Sequence, residues 1–475
     1  MKHSPIEGAE FLAKETKWLA EPRGSKALEL ATKRSAKTRD QIAASIAQWE
    51  SWREQAARIK AYAISRLDHL LRQFEENITA RGATVLWAEN SRQANEHVLG
   101  IARKHGVRLV VKSKSMVSEE MELNRCLETI GVAAVETDLG EFLVQLAGQR
   151  PTHIVTPALH LSAEDIGKMF AEKLGEPFTR QHEQLTAIAR RHLRRRFLEA
   201  GMGISGANFA IADVGAVCVV ENEGNAGLSM ATPPVHVVLM GIEKVIPSIL
   251  HLPVFLQLLA RSGTGQKLTT YTHIIHGPSP GQAMYVIIVD NGRTRVLADP
   301  KLRSALSCIR CGACLNACPV YRRVGGWAYG WIYPGPIGAV ITPAMVGIRK
   351  AGKLPFASSL CGACHEVCPV KIDIPHKLVY LRNLAVTRSS PVRSWLEKAV
   401  WKAWAFTMRG AWRYKLAMAL ARLGMRTVYL LPWKPKLLRA WLRARNLPPL
   451  PAGGPFRKRW PKLAGEAKPP LEKST

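Results

Sequence analysis

"CIRCGACLNACPVY", residues 308–321, spaces four cysteines as C-x2-C-x2-C-x3-C-P, and "SSLCGACHEVCPV", residues 358–370, repeats the pattern with three. The first is the ligand run of bacterial two-cluster ferredoxins. Its x2 steps let one loop wrap three corners of an iron–sulfur cubane with backbone amides toward the sulfurs. The x3 step and the proline turn the chain away, so the fourth cysteine reaches the other cluster. A zinc ribbon needs only two C-x2-C knuckles and has no use for a C-x3-C-P ending that occurs twice. Aligning Cys368-Pro369 with Cys318-Pro319 places Cys361 and Cys364 on Cys311 and Cys314, and Ser358 where Cys308 stands. Crossed ligation then assigns Cys308, Cys311, Cys314 and Cys368 to one [4Fe–4S] cluster. Cys318, Cys361 and Cys364 are left with a second, one ligand short. Three outcomes are open for that second site. Ser358, Ser359, His365, Cys126, Cys218 or a partner subunit's thiolate completes it; or it holds three irons; or one iron stays open to water or a substrate oxygen, as a Lewis acid.

The rest of the composition fits a folded intracellular protein built around such a centre. The 475 residues are 47% hydrophobic and 22% charged, enough for two or three domains with their own cores. The N-terminal "MKHSPIEGAEFLAKETKW" lacks the apolar stretch of a signal peptide, and no run of 18 apolar residues reads as a membrane span. The expected location is therefore cytoplasmic. Of nine cysteines, seven lie in the two motifs; Cys126 and Cys218 read as buried structural residues. The net charge of +30 is uneven, since residues 391–475 hold 19 Lys and Arg against 3 Glu, and another basic run, "RRHLRRRF", spans 190–197.

Outward from the cysteines, periodicity divides the chain. Residues 26–80 read as helix. "ATVLWA", "VRLVVKS", "VAAVET" and "THIVTPAL" then read as strands between amphipathic helices, with helix starts at Ser91 and at the box-like Ser162/Asp165 pair. Further strands are expected in "ANFAIADVGAVCVVENEG", "PVHVVLMGIEKVI" and "AMYVIIVDNGRTRVL". Such alternation implies an α/β domain with a mostly parallel sheet. The expected division is an N-terminal helical segment, 1–69; an α/β domain, 70–298; a helical ferredoxin-like two-cluster domain, 299–390; and a basic helical C-terminal region, 391–475, holding seven of 13 Trp and ending in a tail of flexible composition.

Other motifs are weaker. "GMGISG", 201–206, fits G-x-G-x-x-G but follows a helix and precedes a strand, the wrong order for a dinucleotide fingerprint; it reads as a helix C-terminal turn. The polar loop "VENEGNAGLSMATPP" offers Glu221, Asn222, Glu223 and Asn225 either as a ligand edge or as a plain connection. "KSKSM", 112–116, follows a strand and offers Lys and Ser to an anion. His273 and His276 read as structural. The Trp-rich basic helices from Trp395 to Trp441 suit an acidic membrane surface or a partner subunit; no nucleic acid is expected.

At "GANFAIADVGAVCVVENEGN", "VDNGRTRVLADPKLRSALSCIRCGACLNACPVY", "GPIGAVITP" and "SSLCGACHEVCPVKIDIP" the chain closely resembles the lactate utilization protein B family over nearly its whole length. The resemblance implies a lactate-utilization α/β domain, a ferredoxin-type domain, and action with lactate utilization proteins A and C in oxidising L-lactate to pyruvate. It also implies the cysteine assignment above, with three cysteines in the second motif as a family trait. The strongly basic C-terminal region departs from a plain match. The expected function is thus an iron–sulfur electron-transfer subunit with two [4Fe–4S] clusters, its catalytic residues unassigned. Alternatives are the corresponding subunit of a glycolate or other 2-hydroxy-acid oxidase, or a non-catalytic redox-sensing scaffold. With no flavin or nicotinamide fingerprint, hydride acceptance is expected in a partner or at the open cluster.

Overall fold

Near-continuous runs of Val, Ile, Leu and Met mark strands covered on both faces. In the computed structural model, which describes residues 22–388, 395–430 and 456–466, those runs form the centre of a parallel sheet. The strands are β1 (Thr84–Ala88), β2 (Leu109–Lys112), β3 (Ala133–Glu136), β4 (Met202–Gly206), β5 (Phe209–Ile211), β6 (Ala216–Glu221), β7 (Val235–Gly241), β8 (Val245–Ile246), β9 (Tyr271–Ile275) and β10 (Ala283–Val289). Six of them form one sheet in the order β1-β10-β7-β4-β2-β3, parallel throughout. The other four form a mixed sheet, β8-β5-β6-β9.

Side chains of β7 and β10 alternate between two cores. Val238, Met240, Val286 and Ile288 pack with Leu71 and Phe74 of the helix Leu67–Thr79. Val237, Leu239, Ile287 and Val289 pack with Val98 and Ile101 of the helix Ser91–Lys104. Full burial of each such side chain contributes about 1.5–3 kcal/mol. Both faces are apolar, so register is held by the fit of each residue to its own core, not by a polar–apolar contrast.

The segment "GMGISG" is itself strand β4, not a turn. A Cβ on Gly203 would lie 1.7 Å from the Ser229 carbonyl oxygen, so the glycine is there to let the helix Asn225–Ala231 approach the sheet. Gly203→Ala should therefore destabilise the α/β domain by about 1–3 kcal/mol, the usual cost of overpacking. An unchanged thermal midpoint would refute that close approach. "THIVTPAL" forms no strand. Its polar groups bond the cysteine region instead: the Thr152 carbonyl accepts from Tyr321 Oη at 2.6 Å, and His153 Nε2 lies 3.1 Å from Asn316 Oδ1. The helix at residue 91 is capped one residue earlier than expected, by Asn90. Ser162 and Asp165 close a complete capping box.

Two compact units divide the chain, Met1–Ser390 and Pro391–Thr475. Within the first, the helices Pro22–Ala44 and Trp49–Ser65 share one core with the cysteine region, where Leu28, Trp49 and Ala56 pack with Leu315 and Tyr321. Arg53 donates from Nε and Nη2 to the Cys368 carbonyl, at 3.1 and 2.9 Å. The second unit contains the helices Trp395–Met408 and Ala411–Leu430, with Trp395, Trp401, Trp404 and Trp412 exposed. Inside the tail read as flexible, Phe456–Glu466 is helical. Trp433 and Trp441 lie outside the described residues. Among the described residues no helix is long and apolar enough to cross a membrane.

Candidate functional site

The two cysteine motifs repeat in backbone as well as in sequence. Arg310 and Leu360, each just before a motif's C-G-A-C segment, are left-handed, with φ of 62° and 57°. Gly312 and Gly362 follow at 80° and 89°. Short helices, Ala313–Ala317 and Ala363–Glu366, then lead to Cys318 and Cys368. A left-handed non-glycine residue is uncommon, so its recurrence at equivalent positions marks two copies of one loop. Gly312 also sits under the segment 153–155, where a Cβ would meet Val155 Cγ2 at 3.0 Å. In the second copy Ser358 occupies the register of Cys308, and its Oγ accepts from the Leu360 amide at 3.1 Å.

Tertiary structure sorts the thiols across the motifs. Cys308, Cys311, Cys314 and Cys368 line one small cavity, walled by Ile154, Ile309, Ile337, Val370, Ile372 and Ile374. Charge on Cys368 and Cys308 bears on Cys311 and Cys314, charge on Cys318 and Cys361 bears on Cys364, and Cys364 also bears on Cys314. Cys318 and Cys364 are buried, and Cys361 is exposed. Among the described residues, no group of three or more His, Cys, Asp or Glu is gathered to hold a single metal ion. Burial pushes the Cys364 thiol up to about 12 and the Cys368 thiol up to about 11, and raises Cys311, Cys314 and Cys318 as well. Such thiols ionise only against a cationic centre. Amides already face the sulfurs: Ile372 donates to Cys368 Sγ at 3.3 Å and Tyr321 to Cys318 Sγ at 3.4 Å. A soft donor set in an apolar shell with amide donors fits iron–sulfur clusters.

Basic residues that the spacing of the motifs does not reveal surround the first set. Lys60 donates to the Glu243 carbonyl at 2.6 Å, and burial pushes both Lys60 and Lys244 down to about 8, with Cys308 among their charged neighbours. Arg310 Nη2 meets Glu243 Oε1 at 3.3 Å and its guanidinium lies 4.3 Å from the Tyr333 ring centroid. Behind it, fully buried Arg293 joins Glu243 and Glu120 at 2.5 Å each. Burial opposes ionisation of Glu243, but Arg293, Arg310 and Lys244 together hold its carboxyl down to about 2. Only Arg310 lay inside a recognisable motif; the others come from segments far away in sequence and carry no local signal.

The remaining candidates separate into structural and open. Glu221 accepts from the amides of Ala226 and Gly227 at 2.7 Å and pairs with His273 at 2.7 Å, so it fastens the helix Asn225–Ala231. Asn222 binds Gln266 and Thr270, Glu223 accepts from the Leu139 amide, and Asn225 donates to Thr137. Cys218 is fully buried in β6, between Phe209 and Ile274 on the neighbouring strands, and Cys126 Sγ accepts from Asn95 at 3.1 Å. His365 Nδ1 lies 3.1 Å from the Ile372 carbonyl oxygen. In "KSKSM", Lys112 is buried between Glu119 and Glu136, at 2.9 and 2.8 Å, whereas Lys114 faces a large cavity.

Comparison with known proteins places both domains. Residues 71–297 match the LUD domain and residues 304–372 the 4Fe-4S dicluster domain. "Lactate utilization protein B" of Bacillus cytotoxicus is 42% identical over 79% of this chain and 80% of its own. The protein of that name from Oceanobacillus iheyensis is 41% identical over 88% and 89%, and that from Bacillus pumilus 45% over 72% and 74%. A solved structure of a DUF162 family protein from Deinococcus radiodurans is 13% identical, with a TM-score of 0.26 over 47% of this chain and 98% of that one. With both its domains matched and its length spanned at such identities, the chain belongs to the lactate utilization protein B family.

Proposed function

We propose that this chain is the iron–sulfur electron-transfer subunit of a complex that oxidises L-lactate to pyruvate. The cavity that gathers Cys368 of the second motif with Cys308, Cys311 and Cys314 of the first supports this reading. Oxidation of a 2-hydroxy acid to a 2-oxo acid releases two electrons and two protons. Two [4Fe–4S] clusters, when bound, supply one-electron acceptors. Cys308, Cys311, Cys314 and Cys368 would hold the first; Cys318, Cys361 and Cys364 would hold the second, with Ser358 at the vacant register. The protein's own part is electrostatic. Lys60, Lys244 and Arg310 set positive charge beside the first set, which favours the reduced, more negative state.

Lactate utilization proteins A and C would be the partners. The second unit supports a docking role, because its exposed indoles and basic side chains suit a partner subunit or the acidic inner face of a membrane. The test is anaerobic mixing of the iron-loaded chain with both partners and L-lactate, followed by electron paramagnetic resonance. Reduced-cluster signals and visible bleaching are expected. Clusters that dithionite reduces but lactate with both partners does not would overturn the reading. Ser358→Cys addresses the short ligand set: it should remove any Mössbauer signature of one distinct iron in the second cluster. An unchanged distinct iron would mean the fourth position lies away from residue 358.

A further inference from the structure

The described α/β domain carries a second feature that electron relay does not use. A cavity of about 1020 Å³ opens beyond the carboxyl ends of β2 and β3, where parallel sheets place ligands. Its sheet-side wall includes Lys114, two residues past β2, and Glu141, on the helix Leu139–Leu146 after β3. Its far wall comes from the cysteine region, through Trp327 and Trp331. Ile154 lines both this cavity and the four-thiol cavity, so the two are one residue apart.

Charge at the inner corner is unbalanced. Lys114 Nζ is removed from solvent and has no hydrogen-bond acceptor; Glu141 Oε1, the acid paired with it, is 3.8 Å away. A desolvated ammonium without an acceptor is costly. Its neighbour Lys112, by contrast, is fully satisfied by Glu119, Glu136 and Ser118. Burial pushes the Glu141 carboxyl up to about 8, against Lys114 and aided by Glu119, Glu136 and Asp138. Near neutral pH Glu141 is thus held largely protonated, and the buried Lys114 ammonium at the cavity's inner wall keeps only more distant carboxylates such as Glu223 as counterparts. A protonated carboxyl beside an ammonium offers a matched pair of contacts: the cation for a carboxylate, the acid for an adjacent hydroxyl or carbonyl oxygen.

We propose that Lys114 and Glu141 form a binding site for a short 2-hydroxy or 2-oxo acid, Lys114 taking its carboxylate and Glu141 its 2-oxygen. The choice of acid rests on the lactate reading above; the preference for a carboxylate rests on the cavity itself. A three-carbon acid fills only the inner corner, so longer 2-hydroxy acids fit along the indole-lined remainder.

Titration calorimetry of the iron-loaded full chain with pyruvate and with L-lactate tests this. Lys114→Gln should weaken binding by about tenfold or more, the loss of one charged hydrogen bond, with iron content unchanged. Wild-type affinity should fall as pH rises through about 8, because ionised Glu141 then competes for Lys114; Glu141→Gln should bind without that fall. The other charges facing the pair (Glu119, Glu136 and Asp138 at Glu141, and Glu223 at Lys114) are present in both proteins, so they cancel in this comparison. Wild-type-like binding by Lys114→Gln, the same pH dependence in Glu141→Gln, or no binding of either acid by the wild type would each overturn the proposal. If Lys114→Gln loses iron or fails to fold, the Glu141→Gln pH profile decides alone. The electron-transfer reading is judged separately by reduction with the partners: normal lactate-driven reduction of Lys114→Gln would sink the cavity site and leave that reading standing. Carboxylate binding lost in Lys114→Gln, with no lactate-driven reduction of the wild type, would do the reverse.

Discussion

Arg293→Ala is expected to destabilise the first unit by about 3–5 kcal/mol, the cost of leaving a buried ion without its partner. Arg293 is completely buried, donates from Nη1 and Nη2 to Glu120 and from Nε to Glu243, and also reaches the Asp290 carbonyl at 3.1 Å. Without it, Glu120 keeps Asn291 and the Tyr333 hydroxyl, which donate hydrogen bonds but carry no charge. Glu243 keeps Arg310 at 3.3 Å, its own backbone amide and the nearby Lys244. A thermal midpoint lowered by roughly 4–6 °C follows for a unit of this length, at about 2.1 cal/mol/K of unfolding entropy per residue. In the double variant Arg293→Ala, Glu120→Ala, the loss should be smaller than the sum of the two single losses, because one stranded charge has gone with its partner. Acid should act in the same direction. The Glu243 carboxyl sits near 2 in the folded protein against 4.5 for an ordinary glutamate, so its contribution is present above about 4.5 and is lost as pH falls toward 2. Stability independent of pH through that window, or an Arg293→Ala protein as stable as the wild type, would show that the cluster is not a net stabilising contact. Because Glu243 also holds Arg310 inside the first cysteine motif, the same variant should perturb the first cluster at a distance.

What the sequence revealed follows from how local each signal is. Strands β7 and β10 were legible because unbroken apolar runs need no partner to be recognised. The capping box at Ser162 and Asp165 was legible for the same reason, since its two bonds close within four residues. "THIVTPAL" was misread because its apolar residues serve the cysteine region, and its Thr152 carbonyl and His153 ring are claimed by residues 160 or more positions away. "GMGISG" reads as a turn because it lies between a helical pattern and a strand pattern, whereas Gly203 is dictated by a carbonyl of a helix that begins more than 20 residues later. For the site, cysteine spacing made the two motifs legible as one repeated loop, and the cavity that gathers Cys368 with Cys308, Cys311 and Cys314 fits the crossed grouping proposed above. The Arg293–Glu243–Arg310 network and the pairing of Lys114 with Glu141 were not legible. They join groups from separate helices and loops, and only burial reveals that each charge needs a counterpart.

The strongest test of crossed ligation is a cysteine that belongs to the second motif but faces the first cavity. Cys368→Ala is expected to cost about half of the bound iron, and to do so by removing the complete cluster. Its thiol lines the cavity shared with Cys308, Cys311 and Cys314, its sulfur accepts the Ile372 amide, and its carbonyl is held by Arg53. The backbone at this point is therefore fixed from outside the motif, and truncating the side chain should leave the loop in place. In iron content and in paramagnetic resonance of the dithionite-reduced protein, Cys368→Ala should match Cys308→Ala, although 60 residues separate them. Cys318→Ala, from the first motif, should instead match Cys361→Ala and leave the signal of the four-thiol cluster intact. If Cys368→Ala resembles Cys361→Ala, each motif holds its own cluster and the crossing is wrong. The contrast is sharp because the two arrangements predict opposite surviving clusters from the same substitution. It is also independent of lactate: it reads only which thiols share an iron cage, the point on which every functional step above depends.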